Sequence, residues 1–416
     1  MFLYKTFEWH LRTRMLCAAL AAVLIFWGIG CMRGISAEAQ SSVRAIAVGG
    51  GICVPAGDGA LPVALNGVSA KAAVLMEAES GEVVFGQNPD ARLPMASTTK
   101  IMTALVALEE MPLETVITVS PDTVGVEGSS IYLTEGEQLT LEELLYALML
   151  ESANDAAETI AAAVAGSVED FASLMNRKAA ALGLTDTRFS NPHGLDADGH
   201  YTTARELALI ARAALQDPVF RQICSTKRKT IPLHGTEGVR LLLNHNKLLD
   251  SYKDCIGVKT GFTRKTGRCL VSAAERDGVT LIAVTLGAPD DWRDHTAMLD
   301  YGFGLYESVE LCGDGGYAAP LWTVSGTREY VMAENAAPLT LTLRRDHGPI
   351  RCVAELPRFE FAPVRQGDIL GRLVFYEEGR RGERVYLGTV PLCASYDVEA
   401  EVYKLTLWER ITALLL

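Results

Sequence analysis

Pro94-Met95-Ala96-Ser97-Thr98-Thr99-Lys100 runs directly into Ile101, Met102, Leu105, Val106 and Leu108, an apolar face at helical spacing that Pro112 stops. The spacing predicts a buried helix over residues 97–110. Ser97 and Lys100 stand at its start, and residues three apart on a helix share a face, so the lysine amine can reach the serine hydroxyl with no third group to orient it. A serine needs a base before it can attack, and a lysine serves only if desolvation or nearby positive charge lowers its pKa. The apolar residues after Lys100 supply the burial. By itself a Ser-x-x-Lys spacing is equally a helix-capping serine followed by a surface lysine, so the rest of the chain must decide.

Upstream, Ala73-Val74-Leu75-Met76 and Glu82-Val83-Val84-Phe85 flank Glu79-Ser80-Gly81, a strand, turn, strand signal that starts a folded domain. Downstream, residues 139–164 are predominantly helical, with Thr140 to Glu143 resembling a capping box. The polar cluster Glu151-Ser152-Ala153-Asn154-Asp155 interrupts the apolar face, which fits two helices joined there. Residues 184–201 are loop-like and 203–215 return to helical spacing. Then Cys255-Ile256-Gly257-Val258, residues 268–273 and residues 281–286 read as three closely connected strands, which should pair antiparallel. A second change of texture falls at residues 308–316, followed by strand-like runs at 339–343, 358–362 and 384–387. The expected architecture is mixed α/β: an antiparallel sheet flanked by helices plus an all-helical lobe over residues 71–308, then a small β-rich domain over 317–401.

The ends differ in character. Lys5, Arg12 and Arg14 precede an apolar run over residues 15–30, and Ala37-Glu38-Ala39 supplies a cleavage pattern, so residues 1–39 read as a secretory signal peptide. An uncleaved anchor is the alternative, although the run is near the lower length for spanning; either reading places the remainder outside the cytoplasmic membrane. Lipidation of Cys31 is disfavoured because Gly28 occupies the position where a leucine-like residue is usual. Residues 40–70, rich in Gly, Ala and Ser, read as a linker. At the other end, Leu407, Trp408, Ile411, Leu414 and Leu415 share one helical face and Lys404, Glu409 and Arg410 the other. That segment is too short to span; a helix docked on the protein body or one lying in a membrane interface would both suit it.

A chain of 416 residues, 49% hydrophobic and 21% charged, can bury a large core, and a net charge of -13 with no Lys/Arg-rich run interleaved with aromatics argues against nucleic acid as a partner. Of the nine cysteines, seven remain after a signal ending at Ala39: Cys53, Cys224, Cys255, Cys269, Cys312, Cys352 and Cys393. They are scattered, lack the close spacing of a zinc or redox site, and read as buried thiols; no metal or organic cofactor is implied.

Three motifs stand in order: Ser97-Thr98-Thr99-Lys100, Ser152-Ala153-Asn154 and Lys259-Thr260-Gly261. Together with Pro94 to Lys100, Asn191-Pro192-His193-Gly194-Leu195, Asn246-Lys247-Leu248-Leu249 and Gly257-Val258-Lys259-Thr260-Gly261-Phe262-Thr263, this resembles the low-molecular-mass penicillin-binding D,D-carboxypeptidases from about Ala72 to Glu307. The following β-domain is also similar to that family's second domain, and the chain's end, residues 402–416, to its amphipathic membrane anchor. The resemblance implies an exported enzyme at the outer face of the cytoplasmic membrane. It would take terminal D-alanine from peptidoglycan stem peptides and be acylated by β-lactam antibiotics. It implies Ser97 as nucleophile, Lys100 as general base and Ser152 as the relay of a proton to the departing D-alanine. Asn154 would hold the substrate amide and the Lys100 side chain, Lys259 would supply positive potential, and Thr260, beside Gly261, would bond the substrate's terminal carboxylate. The backbone N–H groups of Ser97 and Phe262 would form the oxyanion hole.

Lys265-Thr266-Gly267 repeats the third motif, but it falls where the family turns into its next strand, so Lys259 is preferred. His193 sits in a turn-rich segment that local hydrogen bonding explains as well as catalysis does, and a Ser/Lys mechanism leaves no vacancy for it. Arg293 aligns only loosely with the arginine that the family often has after this strand for the carboxylate. Two rivals remain. A class A β-lactamase would need a deacylating glutamate after the second motif, and none occurs between Glu169 and Glu206. A non-catalytic peptidoglycan or penicillin sensor would not need an activated nucleophile.

Overall fold

The computed structural model describes residues 52–57, 61–233, 236–379 and 382–402. The expected signal peptide (1–39) and residues 403–416 of the expected anchor lie outside them. The described residues divide into two compact units, one of residues 57–309 with 341–347, the other of residues up to 56, 310–340 and from 348 onward.

The first unit is built on a five-stranded sheet. Its strands are β1 (Ala72–Glu77), β2 (Val83–Gln87), β3 (Cys255–Thr263), β4 (Gly267–Arg276) and β5 (Val279–Leu286), in the spatial order β2-β1-β5-β4-β3. All neighbours are antiparallel, with Leu281 opposite Glu77 and Leu286 opposite Ala72 where β5 meets β1. Both faces are covered, which is why these strands read as apolar runs rather than alternating ones. Ala72, Val74, Met76, Val271, Ala273, Ile282 and Val284 pack with the helical residues of the lobe, while Ala73, Leu75, Leu270, Leu281 and Ala283 pack with Met298, Leu299 and Phe303. The first set meets α4 (Ala204–Ala214) and the second α5 (Asp291–Leu305), while α1 (Lys100–Glu110) reaches the sheet at β3.

The lobe contains Leu141–Tyr146, whose capping box at Thr140 and Glu143 is present as read. A π-helical turn over Ala147–Glu151 follows, then Ser152 in the left-handed conformation at φ 60°, and then α2 (Asn154–Ala165) and α3 (Val168–Ala181). The helix thus breaks at the polar cluster that interrupts its apolar face in the sequence. The break has a builder. Asp155, fully buried, accepts hydrogen bonds from Ser130 Oγ at 2.6 Å and from the Leu133 and Ala156 N–H groups at 3.0 Å each. Asp155→Ala would strand these buried donors, and we expect a loss of roughly 2–4 kcal/mol of stability. Chemical denaturation measures it; an unchanged midpoint would remove Asp155 from this role.

The second unit holds a seven-stranded sheet in the order Ile52–Val54, Ile350–Glu355, Ile369–Glu378, Arg384–Ala394, Tyr330–Asn335, Ala318–Val324, Phe359–Phe361. Its pairs are antiparallel except the last, and Leu321, Val331, Ala333, Leu373, Phe375 and Leu392 are buried in it. Two details depart from the sequence reading. Ile52–Val54, inside the expected linker, is an edge strand beside Ile350–Glu355, a segment of 3 residues being too short to show periodicity. Ser69, also within the expected linker, already bonds Asp294 in α5, its hydroxyl at 2.6 Å.

Candidate active site

Ala96–Thr99 form a 3-10 turn leading into α1, and Ala96 takes the left-handed conformation at φ 48°. That conformation is uncommon for a residue with a Cβ and persists only where the surroundings enforce it. Here the turn is pressed between β3 and the Asn191 to Tyr201 loop. A Cβ on Gly261 would stand 3.0 Å from Ser97 N, and one on Gly194 would stand 1.9 Å from the Ala96 carbonyl oxygen. Glycine at these two positions is therefore a condition of the close approach.

Lys100 is wholly buried, and its Nζ makes three contacts: Asn154 Oδ1 at 2.7 Å, the His193 carbonyl oxygen at 2.7 Å and Ser97 Oγ at 3.2 Å. Asn154 is oriented by its own donor, Nδ2, which bonds the Glu127 carbonyl at 2.5 Å. Burial pushes the lysine well below its usual range, the charge of Lys259 pushes it the same way, and Asp155 opposes them. A neutral amine has two N–H bonds and one lone pair. The two carbonyl-type oxygens accept only, so they take both N–H bonds and leave the lone pair for the Ser97 hydroxyl. Lys259, also buried, is lowered by burial to about 7, and its Nζ donates to the Thr260 carbonyl at 3.0 Å.

Above these lysines opens a cleft of about 360 Å³ lined by Ser97, Ser152, Thr260, Gly261 and Phe262. All three sequence motifs therefore meet at one place. The second Lys-Thr-Gly copy does not join them: Lys265 is exposed in the turn between β3 and β4. His193 serves through its backbone carbonyl. Its ring accepts the Leu195 N–H at 3.1 Å through Nδ1 and sets Nε2 3.2 Å from Glu158, and burial leads the causes that lower its pKa.

Several lining residues were not singled out from sequence: Ser129, His245, Arg268 and Trp292. Ser129 is brought in by its carbonyl, which accepts the Asn154 N–H at 2.7 Å. Arg268 lies opposite Phe262 in the β3–β4 register, bonds Asp291 at 2.9 Å and sits 5.6 Å from the Trp292 ring centroid. Arg293, by contrast, has an 85% exposed side chain and, among the described residues, lies 3.9 Å from Asp290. The pairing of Phe262 with Arg268 was legible once the two strands were known, because directly opposite residues share a face.

Among the described residues no three His, Cys, Asp or Glu side chains are grouped to hold a metal. Cys224 and Cys269 are buried thiols, pushed up by burial to about 12, which makes them poor nucleophiles.

A sequence model of the family described as D-alanyl-D-alanine carboxypeptidase matches residues 61–290. The Bacillus subtilis D-alanyl-D-alanine carboxypeptidase DacF is 31% identical over 340 residues, covering 79% of this chain and 86% of its own. The Escherichia coli D-alanyl-D-alanine carboxypeptidase DacC is 32% identical, covering 76% and 82%. Among solved structures, penicillin binding protein 5 from Haemophilus influenzae superposes with a TM-score of 0.58 at 26% identity, over 81% of this chain and 100% of that one. The Streptomyces K15 DD-transpeptidase does so with 0.55 at 33% identity, over 58% of this chain and 100% of its own.

Proposed function

The chain belongs to the D-alanyl-D-alanine carboxypeptidase family, and we propose that Ser97 is its nucleophile and Lys100 its general base. It is a serine-type D-Ala-D-Ala carboxypeptidase of the penicillin-binding kind, acting on peptidoglycan stem peptides that end in D-Ala-D-Ala. The observation that carries the assignment of roles is the set of three contacts at Lys100 Nζ, two of them to oxygens that only accept.

In the proposed reaction Ser97 Oγ attacks the penultimate D-alanine carbonyl as its proton passes to Lys100. The oxyanion is met by the N–H groups of Ser97 and Phe262, preorganised donors of the kind that usually contribute most to such catalysis. The C–N bond then breaks, Ser152 relays a proton to the departing D-alanine amine, and an ester on Ser97 remains. Water attacks that ester with Lys100 again taking a proton, which frees the shortened peptide. Asn154 keeps the lysine in place and bonds the substrate amide. Lys259 contributes positive potential, and Thr260 bonds the terminal carboxylate beside Gly261, whose lack of a side chain lets β3 lie against the Ser97 turn. The experiment is to follow free D-alanine from a peptide ending in D-Ala-D-Ala. Many turnovers by the wild type and none by Ser97→Ala are expected; equal turnover by both would overturn the assignment.

Export rests on the basic, apolar and small-residue pattern of residues 1–39, and anchoring at the outer membrane face on the amphipathic pattern of residues 405–416. Among the described residues no helix is long and apolar enough to cross a membrane. Deleting residues 405–416 should release the mature protein from membranes while leaving activity on a short soluble peptide within about twofold, because an interfacial helix adds affinity and no chemistry. Fractionation after proven signal cleavage checks it; a truncated protein that stays in the membrane fraction would contradict the anchor.

A further inference from the structure

We propose that His200 is a positioning residue for the nucleophile turn, holding the Ser97 N–H in register through Thr99 and the Ala96 carbonyl. The proposal rests on Ser97 being the nucleophile. His200 is buried in the Asn191 to Tyr201 loop, with the Phe189 ring edge-on at 5.9 Å. Its Nδ1 accepts the Ser190 N–H at 3.0 Å, which leaves the ring proton on Nε2. Nε2 is 2.8 Å from Thr99 Oγ1, and Thr99 Oγ1 in turn donates to the Ala96 carbonyl at 2.8 Å.

Each link has one possible direction. A backbone N–H can only donate and a carbonyl can only accept, so Ser190 fixes the tautomer and Ala96 fixes where the threonine proton goes. The lone pair of Thr99 is then the acceptor for His200. The end of this chain is the carbonyl of Ala96, the residue at φ 48° whose peptide plane carries the Ser97 N–H. Rotation of that plane would move the oxyanion donor away without touching either lysine. Gly194 closes the other side of the same carbonyl. The ring must be neutral to accept from Ser190. Burial holds His200 down to about 4, with His193 acting in the same direction and Asp196 opposing.

Two isosteric halves of the ring separate positioning from mere packing. In His200→Gln the side-chain amide can reproduce the Nε2 donor to Thr99. In His200→Asn it can reproduce only the Nδ1 acceptor for Ser190. Acylation by a fluorescent penicillin is resolved into the initial binding constant and the limiting rate, beside melting temperature, with Ser97→Ala as a control. We expect His200→Asn to lower the limiting rate ~10–100-fold, below the ~10²–10³-fold for complete loss of an oxyanion donor. Its binding constant should stay within about threefold, and His200→Gln should acylate within about threefold of wild type, since positioning acts on the transition state. Equal rates for the two variants, or a fall in binding as large as the fall in rate, would overturn the proposal. If His200→Asn does not fold, Thr99→Val and Thr99→Ser decide: slow acylation by valine and near-normal acylation by serine support the chain, and normal acylation by valine refutes it. Acylation of Ser97→Ala would instead show that the nucleophile is another residue.

Discussion

Lys100→Arg should lower the rate of acylation by at least ~10²–10⁴-fold, the range for loss of a general base. A guanidinium keeps the charge and does not deprotonate in proteins, so it offers Ser97 no lone pair. The wild-type lysine has one to offer because burial and Lys259 hold it well below its ordinary range, and both its N–H bonds are taken by Asn154 and His193. The sign of the pH dependence follows. Protonation removes the lone pair, so acylation declines as pH falls through the Lys100 titration, and a group with a depressed pKa places that decline far below the usual lysine range. Stopped-flow acylation across pH checks both statements. Near-normal acylation by Lys100→Arg, with an unchanged acid limb, would assign the proton transfer to another group.

Gly194→Ala should be nearly as severe, at ~10²–10³-fold in acylation, through a different cause: displacement of the oxyanion donor. The added Cβ would lie 1.9 Å from the Ala96 carbonyl oxygen and 2.8 Å from Thr99 Oγ1, and neither neighbour can yield without moving the nucleophile turn. Gly194 is also at φ 90°, so some of any loss of stability reflects backbone strain alone. Gly183→Ala separates the two effects, since Gly183 is at φ 76° with nothing within 4 Å of its would-be Cβ. That variant should lose stability while acylating at the wild-type rate. Gly194→Ala acylating as fast as Gly183→Ala would show that the turn tolerates the displacement.

These effects converge on a site whose parts differed in how legible they were. The helix after Ser97, the broken helix at Ser152 and the three antiparallel strands β3, β4 and β5 follow from local patterns, because apolar period and turn residues are written in consecutive positions. The meeting of Ser97, Ser152 and Lys259 was reached through resemblance, since spacing along a chain does not encode which distant segments touch. What stayed hidden depends on partners far apart in sequence. Asp155 gathers donors from residues 130–133, His200 reaches Thr99 across 101 positions, and Arg268 enters the cleft because Trp292 and Asp291 seat it there. The left-handed Ala96 was hidden for a further reason: alanine has no preference for that conformation, and the tertiary contacts of its carbonyl impose it. Arg293, by contrast, was the more visible arginine in the sequence and is the one left in solvent.

If Ser97 forms the covalent intermediate, peptide mapping after incubation with a penicillin will locate the adduct there. The lactam carbonyl is attacked as the scissile amide would be, but the leaving amine stays tethered and cannot diffuse away, so the ester should persist long enough to locate. A single penicilloyl adduct is expected on the proteolytic fragment containing Ser97, and none in Ser97→Ala. An adduct on any other residue, or a full-occupancy adduct in Ser97→Ala, would contradict it.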